Sequence, residues 1–114
     1  MINPQELSQF TGTEHYHCHL LSDYLYTDGV MYVIREGKAL WLVSKILITI
    51  RKIKALQKFS AWELKVLKDK SATLICTDGN KNILYKDEIE YTDFPLDSIK
   101  FWFEYGVLIL PSEH

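Results

Sequence analysis

The spacing of apolar residues changes once along this chain, near Gln57, and this change limits the folds open to it. Before Gln57, apolar side chains recur at steps of three and four positions. The stripe consists of Ala39, Val43, Ile46, Ile50 and Ile53. Such steps place side chains on one face of a helix. After Gln57, apolar and polar residues alternate in runs at 62–66, 72–77 and 99–104, which is typical of half-buried strands. Helices followed by consecutive strands indicate an α+β fold.

Local signals predict three helices ahead of these strands. Asn3 followed by Pro4 is a helix start, so we expect a short helix over residues 4–9. Asp28 is the expected N-cap of a second helix, which runs to about Glu36 and stops at the following glycine. The main helix, which carries the apolar stripe, begins just after that glycine.

The strands are predicted to form a small sheet. Asp78-Gly79-Asn80 indicates a hairpin turn, because Gly and Asn readily adopt positive φ. A return strand is expected from about residue 82, and a last strand at 107–110. We predict an antiparallel sheet of about five strands with the N-terminal helices packed on one face. A length of 114 residues predicts a single domain over residues 1–114.

The composition is that of an ordinary folded protein, with 47% hydrophobic residues, 25% charged residues and a net charge of −2. This net charge gives no overall attraction to nucleic acid or to an acidic membrane. The longest apolar run, residues 39–50, is interrupted by Lys45 and is shorter than the ~20 residues that span a bilayer. Nothing resembles a secretory signal. We therefore expect a soluble cytoplasmic protein in which Cys18 and Cys76 are reduced, buried thiols.

Three histidines, His15, His17 and His19, alternate along one short stretch. If the stretch is a strand, all three imidazoles lie on one face. Imidazole is the commonest protein ligand for zinc, and three protein ligands with one open position make a catalytic zinc site. A structural zinc needs a fourth ligand, such as Glu14, Asp23 or His114. The alternative interpretation is that the histidines pack beside aromatic residues or face solvent on an edge strand.

Charges are distributed unevenly along the chain. Residues 45–70 carry eight basic and two acidic side chains, whereas residues 78–113 carry eight acids and three lysines. The simplest interpretation is a solvated helix face and a solvated sheet face. The alternative is a weak nucleic-acid site at the basic end of the main helix, formed by Arg51, Lys52, Lys54 and Lys58. Cations are favourable at a helix C-terminus in any case, through the helix dipole.

The chain contains more apolar residues than one face of a small sheet can bury. The main helix is apolar over more than one face, and Phe101-Trp102-Phe103 is followed by an apolar run at 107–110. Apolar surfaces of this kind usually mark interfaces, which favours a homodimer. A second packed layer within the monomer is the alternative.

Several different short motifs are distributed over nearly the whole chain. They are Phe10-Thr11-Gly12-Thr13, Thr27-Asp28-Gly29-Val30, Trp41-Leu42, Phe59-x-x-Trp62, Ser71-Ala72, Thr77-Asp78-Gly79-Asn80, Thr92-Asp93-Phe94-Pro95-Leu96 and Leu110-Pro111. In order and spacing they resemble a family of small bacterial proteins defined only as a domain of unknown function. The resemblance implies an accessory role, often on mobile elements, and no particular activity or cofactor. This chain departs from the family pattern at its histidines, where the family is usually tyrosine-rich, and at Ser44 and Lys45, where acids are common.

The sequence therefore favours a non-catalytic interaction module with no cofactor and an unidentified protein partner. One alternative is a divalent-metal-binding protein or small metallo-hydrolase that uses His15, His17 and His19. The other is the weak nucleic-acid binder. Hydrolysis without a metal has less support, because in a strand Cys18 points away from the histidines and no serine lies in a nucleophile elbow.

Overall fold

The computed structural model describes residues 2, 5, 15–19 and 22–113. The strands within these residues are β1 (Tyr16–Cys18), β2 (Leu25–Thr27), β3 (Phe59–Val66), β4 (Ala72–Thr77), β5 (Ile83–Ile89), β6 (Ser98–Glu104) and β7 (Val107–Ile109). The helices are α1 (Asp28–Gly37) and α2 (Leu40–Lys52), with short 3-10 helices at Lys54–Leu56 and Pro111–Glu113. The predicted α+β class is confirmed. The helix predicted over residues 4–9 lies, apart from Gln5, outside the described residues.

The strands form one mixed sheet in the order β1-β2-β7-β6-β3-β4-β5. Neighbouring strands are antiparallel except β2 and β7, which pair in parallel with Leu25 opposite Val107. The prediction of an antiparallel sheet of about five strands was therefore wrong in strand number and in direction. Strands of three residues are too short to show an alternation, and a parallel pairing between distant segments leaves no local signal in the sequence.

Helix α1 is capped one residue earlier than predicted. Thr27, not Asp28, is the N-cap, and its hydroxyl oxygen accepts a hydrogen bond from the backbone N–H of Val30 at 3.4 Å. The helix ends at Gly37, after which Lys38 adopts the left-handed conformation with φ of 50°. This residue lets the chain turn directly into α2.

Helix α2 carries the apolar stripe that the sequence predicted. Its N-cap, Ala39, provides no side-chain hydrogen bond, and its β-branched residues lower helix propensity. Five of its thirteen residues are buried, so packing against the rest of the chain stabilises it. Among the described residues, no helix is long and apolar enough to cross a membrane.

One hydrophobic core joins α2 to the sheet. Alternate residues of the strands contribute Trp62, Leu64, Leu74, Phe101, Phe103 and Leu108 to it. Helix α2 contributes Leu42, Val43, Ile46, Leu47 and Ile50. Phe101, Phe103 and Leu108 were part of the reason to expect a homodimer, yet all three are fully buried within the chain. The oligomeric state itself stays a prediction.

The intervening residues of the same strands lie on the second face of the sheet, which we call the outer face. Its central residues are half-buried or exposed, and they are Ala61, Glu63, Ile75, Lys100 and Trp102. Trp102 is thus separated from its neighbours Phe101 and Phe103, which point into the core. The apolar triplet at 101–103 therefore supplies both faces of β6.

Candidate functional site

The three histidines lie at the edge of the sheet but in different environments. Only His17 belongs to β1; His15 precedes the strand and His19 follows it. His15 is exposed, His17 is half-buried, and His19 is 6% exposed. The ring of His17 hydrogen-bonds to Asp28 in α1, whereas the ring of His19 hydrogen-bonds to Ser44 in α2.

His17 fastens β1 to the start of α1. Its Nε2 donates to the Asp28 carboxylate at 3.0 Å, and the backbone N–H of His15 donates to the other carboxylate oxygen at 3.2 Å. The hydrogen bond from His17 is the main cause that lowers the pKa of Asp28. The His17 ring also stacks on Tyr26, with ring centroids 5.4 Å apart. Pairing with a carboxylate and an aromatic ring gives His17 a packing role.

His19 lies between two serine hydroxyls. Its Nδ1 is 2.8 Å from Oγ of Ser22, in the turn after β1, and its Nε2 is 2.9 Å from Oγ of Ser44, in the middle of α2. Burial lowers the pKa of His19, which favours the neutral ring. A neutral imidazole has one donor and one acceptor nitrogen, so one serine donates to it and the other accepts from it. The sequence placed Ser22 and Ser44 in no site, and only the fold brings them to the same ring.

Metal binding by His15, His17 and His19 stays a prediction. The described residues contain no group of three or more His, Cys, Asp or Glu side chains placed to hold an ion. To act as a ligand, His19 must release one of its two serines. Of the suggested fourth ligands, Asp23 lies 3.7 Å from Arg51, while positions 14 and 114 are outside the described residues.

A groove of about 650 Å³ opens on the outer face of the sheet, a volume within the usual range for binding pockets. The rings of Phe59 and Trp102 meet edge to face there, with centroids 6.2 Å apart. The register of β3 and β6 places Ala61 opposite Trp102, and Glu63 opposite Lys100. On β3 and β6, the groove therefore combines an aromatic pair, a small side chain and an acid opposite a base. No local pattern in the sequence indicates this combination, because it arises from residues of two strands far apart in the chain.

The rim of the groove is the turn between β4 and β5, which confirms the predicted hairpin. The carboxylate of Asp78 accepts from the backbone N–H of Asn80 and from the side-chain amide of Asn82, each at 2.8 Å. These hydrogen bonds lower the pKa of Asp78, and the contact with Asn82 is the largest cause. Gly79, with φ of 91°, provides the left-handed conformation that the turn requires. The rim is thus held by its own side chains.

The family model of a family of unknown function, DUF6876, matches residues 1–114. The chain belongs to this family. The resemblance inferred from the motifs is thereby confirmed. No curated protein and no solved structure matches the chain significantly. Membership of DUF6876 brings no activity with it, so function has to be argued from the geometry of this chain.

One contact of this DUF6876 chain was not predicted from the sequence, and it joins the start of α1 to the residues that follow β7. Oε1 of Glu113 accepts from the Thr27 hydroxyl at 2.6 Å and from the backbone N–H of Leu110 at 2.9 Å. Oε2 accepts from the backbone N–H of Gly29 at 3.2 Å. A carboxylate at a helix N-terminus is favourable because it meets unpaired N–H groups and the positive end of the helix dipole. Glu113 therefore caps α1 together with Thr27.

The two cysteines have opposite environments. Cys76 is buried in the core, and burial raises the pKa of its thiol to about 12. Cys18 is exposed at the sheet edge, so the expectation that both thiols are buried was wrong for Cys18. The physical reason is that, among the described strands, β1 lies at the edge of the sheet beside β2, so an apolar-looking run there does not reach the core. Both thiols are free.

The basic end of α2 is partly engaged within the chain. Nη1 of Arg51 donates to the carbonyl of Ser22 at 2.8 Å and lies 3.7 Å from the carboxylate of Asp23. Lys52, Lys54 and Lys58 are exposed. Arg51 thus positions the turn that also holds His19. Nucleic-acid binding by this end of the helix stays a prediction.

Proposed function

We propose that this member of DUF6876 is a non-catalytic protein-interaction module and that the groove on the outer face is its contact surface. The observation that carries the proposal is the pair formed by Phe59 and Trp102 on a face otherwise rich in charged side chains. Tryptophan is enriched at the centres of protein interfaces, where it supplies a large, rigid contact area. An aromatic centre within a polar rim is the usual anatomy of such a surface.

The chemistry of the groove suits recognition better than catalysis. Asp78 is occupied by the hydrogen bonds that build the rim, and the hydroxyl of Thr77 accepts from the backbone N–H of Gly79 at 3.3 Å. Glu63 lies opposite Lys100 across β3 and β6, and its carboxylate is 4.0 Å from Nζ of Lys65, so neighbouring lysines offset its charge. We further infer that α1 and α2 both pack on the core face, so that neither of these two helices covers the groove.

The cellular setting belongs to the same proposal. We propose a single-domain bacterial protein of the cytoplasm, in keeping with the free thiols of Cys18 and Cys76, since disulfides are rare in reducing compartments. An accessory role on mobile elements remains the setting that the family resemblance implies.

Site-specific photo-crosslinking in bacterial cells tests the contact surface. A photoreactive residue at Asn80, on the rim of the groove, is expected to give a discrete protein adduct. The matched control is Leu67, an exposed residue in the turn between β3 and β4. The adduct from Asn80 should disappear in the Trp102→Ala background. Equal adducts from both positions, or none from Asn80, would contradict the proposal.

A further inference from the structure

On the outer face, the central strands β3 and β6 place residues of complementary size and charge directly opposite each other. β3 and β6 are antiparallel neighbours, and residues directly opposite each other across such a pair share a face. Ala61 lies opposite Trp102, so the smallest side chain of the groove floor is level with the largest. Two residues further along, Glu63 lies opposite Lys100, so an acid is level with a base.

This arrangement is self-complementary under one symmetry operation. Consider two copies stacked outer face to outer face, with a two-fold axis parallel to the strands and midway between β3 and β6. The rotation carries every residue of β6 to a position above its registered neighbour in β3. Trp102 then lies above the partner's Ala61, and Lys100 lies above the partner's Glu63. Each contact occurs twice, as in any two-fold interface.

We propose that the occupant of the groove is a second copy of this chain, bound through this two-fold contact; the inference rests on the proposed function. Two facing sheets pack about 10 Å apart and interdigitate when large side chains meet small ones. The Phe59 ring, edge-on to Trp102, holds the indole that enters the partner's groove. The paired charges orient the two copies, because displacement by one strand removes both attractions.

Charge reversal tests the contact directly, with oligomeric state measured by light scattering and sedimentation over a range of micromolar concentrations. Wild-type chain is expected to dimerise. Glu63→Lys and Lys100→Glu each create two like-charge contacts, so each should raise the dimer dissociation constant by at least roughly ten-fold. The matched control is Lys86→Glu, since Lys86 is exposed on β5 at the same level of the sheet but outside the two-fold contact.

Mixing the two weakened variants separates contacts between copies from contacts within one copy. In a mixed dimer, each reversed residue meets its opposite charge, so an equimolar mixture of the Glu63→Lys and Lys100→Glu chains should recover the wild-type dissociation constant. The neighbouring pair inside each chain stays mismatched in the mixture, so a purely intramolecular effect gives no recovery. Circular dichroism of each variant confirms that it is folded.

Three results would overturn the inference. The first is a wild-type chain that is monomeric at high micromolar concentration, and the second is no recovery of dimerisation on mixing. The third is a dimer that Lys86→Glu weakens but Glu63→Lys does not, which would indicate pairing through the β5 edge. A monomer that still gives an Asn80 adduct with another protein refutes the second copy and leaves the proposed function standing. A monomer without any adduct refutes both.

Discussion

His19 and Ser44 join the edge of the sheet to the middle of α2 through a hydrogen bond of 2.9 Å between Nε2 and Oγ. The other ring nitrogen of His19 is bonded to Ser22, in the turn that follows β1. Arg51, two turns further along α2, donates to the carbonyl of the same Ser22. The short N-terminal hairpin is therefore attached to α2 by two polar side chains.

Removal of the Ser44 hydroxyl should destabilise the fold. Ser44→Ala leaves a buried nitrogen of His19 without a partner, which costs about 1–3 kcal/mol in free energy of unfolding. Urea unfolding measures the loss. Ser98→Ala, at an exposed position of β6, is the matched control and should change stability by less than about 0.5 kcal/mol. Equal stabilities of the two variants would show that the Ser44 contact contributes nothing.

The stability of the fold should fall as the pH drops below about 6.5, the ordinary pKa of histidine, because of His19. Burial lowers the pKa of His19 below its ordinary value of 6.5, so the unfolded chain binds a proton more readily than the folded chain. The stability that depends on neutral His19 is therefore fully present above the pKa that His19 has in the unfolded chain. It is lost as the pH falls through the pKa that His19 has in the folded chain.

Urea unfolding from pH 8 to pH 5 measures this effect. His19→Gln should flatten the dependence relative to wild type. Asp28 does not interfere, because its lowered pKa confines its own contribution to more acidic solutions. A His19→Gln chain that loses stability as steeply as wild type over this range would refute the assignment.

The fold was predictable where its signal is local. The stripe on α2 and the Asp78-Gly79-Asn80 turn depend on neighbouring residues, and the structure contains both. The parallel pairing of Leu25 with Val107 depends on segments at opposite ends of the chain, and three residues on each side are too few for an alternation. Such a pairing depends on the packing of the whole core, and no short stretch of the sequence predicts it.

For the histidine site, the sequence predicted which residue types are involved but not which side chains they contact. Three alternating histidines suggested one shared metal ion. In the structure, His17 instead hydrogen-bonds to Asp28, and His19 hydrogen-bonds to two serines. In the sequence, Ser44 was notable only because it stands where the family often has an acid. Its role as a partner of His19 depends on a contact that only the fold creates. The groove was missed for the same reason, since Ala61 and Trp102 become neighbours only through the register of β3 and β6.

Thermal unfolding with zinc or nickel tests the metal alternative. A metal bound only by the folded chain adds about 2.7 kcal/mol of stability at a free concentration one hundred times its Kd. Because both ring nitrogens of His19 are bonded to serines, we expect no rise in Tm. A large rise that His17→Ala abolishes would establish the site. The protein for this measurement must carry no histidine tag.

The two thiols should differ sharply in reactivity. The thiolate is the reactive form, and Cys18 is exposed while the pKa of buried Cys76 is raised to about 12. Under native conditions a thiol reagent such as dithionitrobenzoate should therefore modify one thiol per chain rapidly. The second should react only on unfolding. Cys18→Ser should remove the rapid phase, and a rapid phase that survives this change would place the reactive thiol at Cys76.

The cap that Glu113 places on α1 should be worth about 1–2 kcal/mol, since its carboxylate supplies both hydrogen-bond acceptors and a favourable negative charge at the helix N-terminus. Glu113→Ala removes the acceptor of the Thr27 hydroxyl and of the Gly29 N–H, and urea unfolding measures the loss. Ser112→Ala, at the exposed neighbouring position, is the matched control.

Gly29→Ala tests the same contact from the helix side. A Cβ at this position would lie 2.7 Å from both Oε1 of Glu113 and Cδ1 of Leu110, so the C-terminal segment has to move. We expect Gly29→Ala to destabilise wild type more than it destabilises the Glu113→Ala chain, because part of the clash is with the carboxylate. Strictly additive losses in this double-mutant cycle would mean that Glu113 and Gly29 do not interact, and the cap would then be absent in solution.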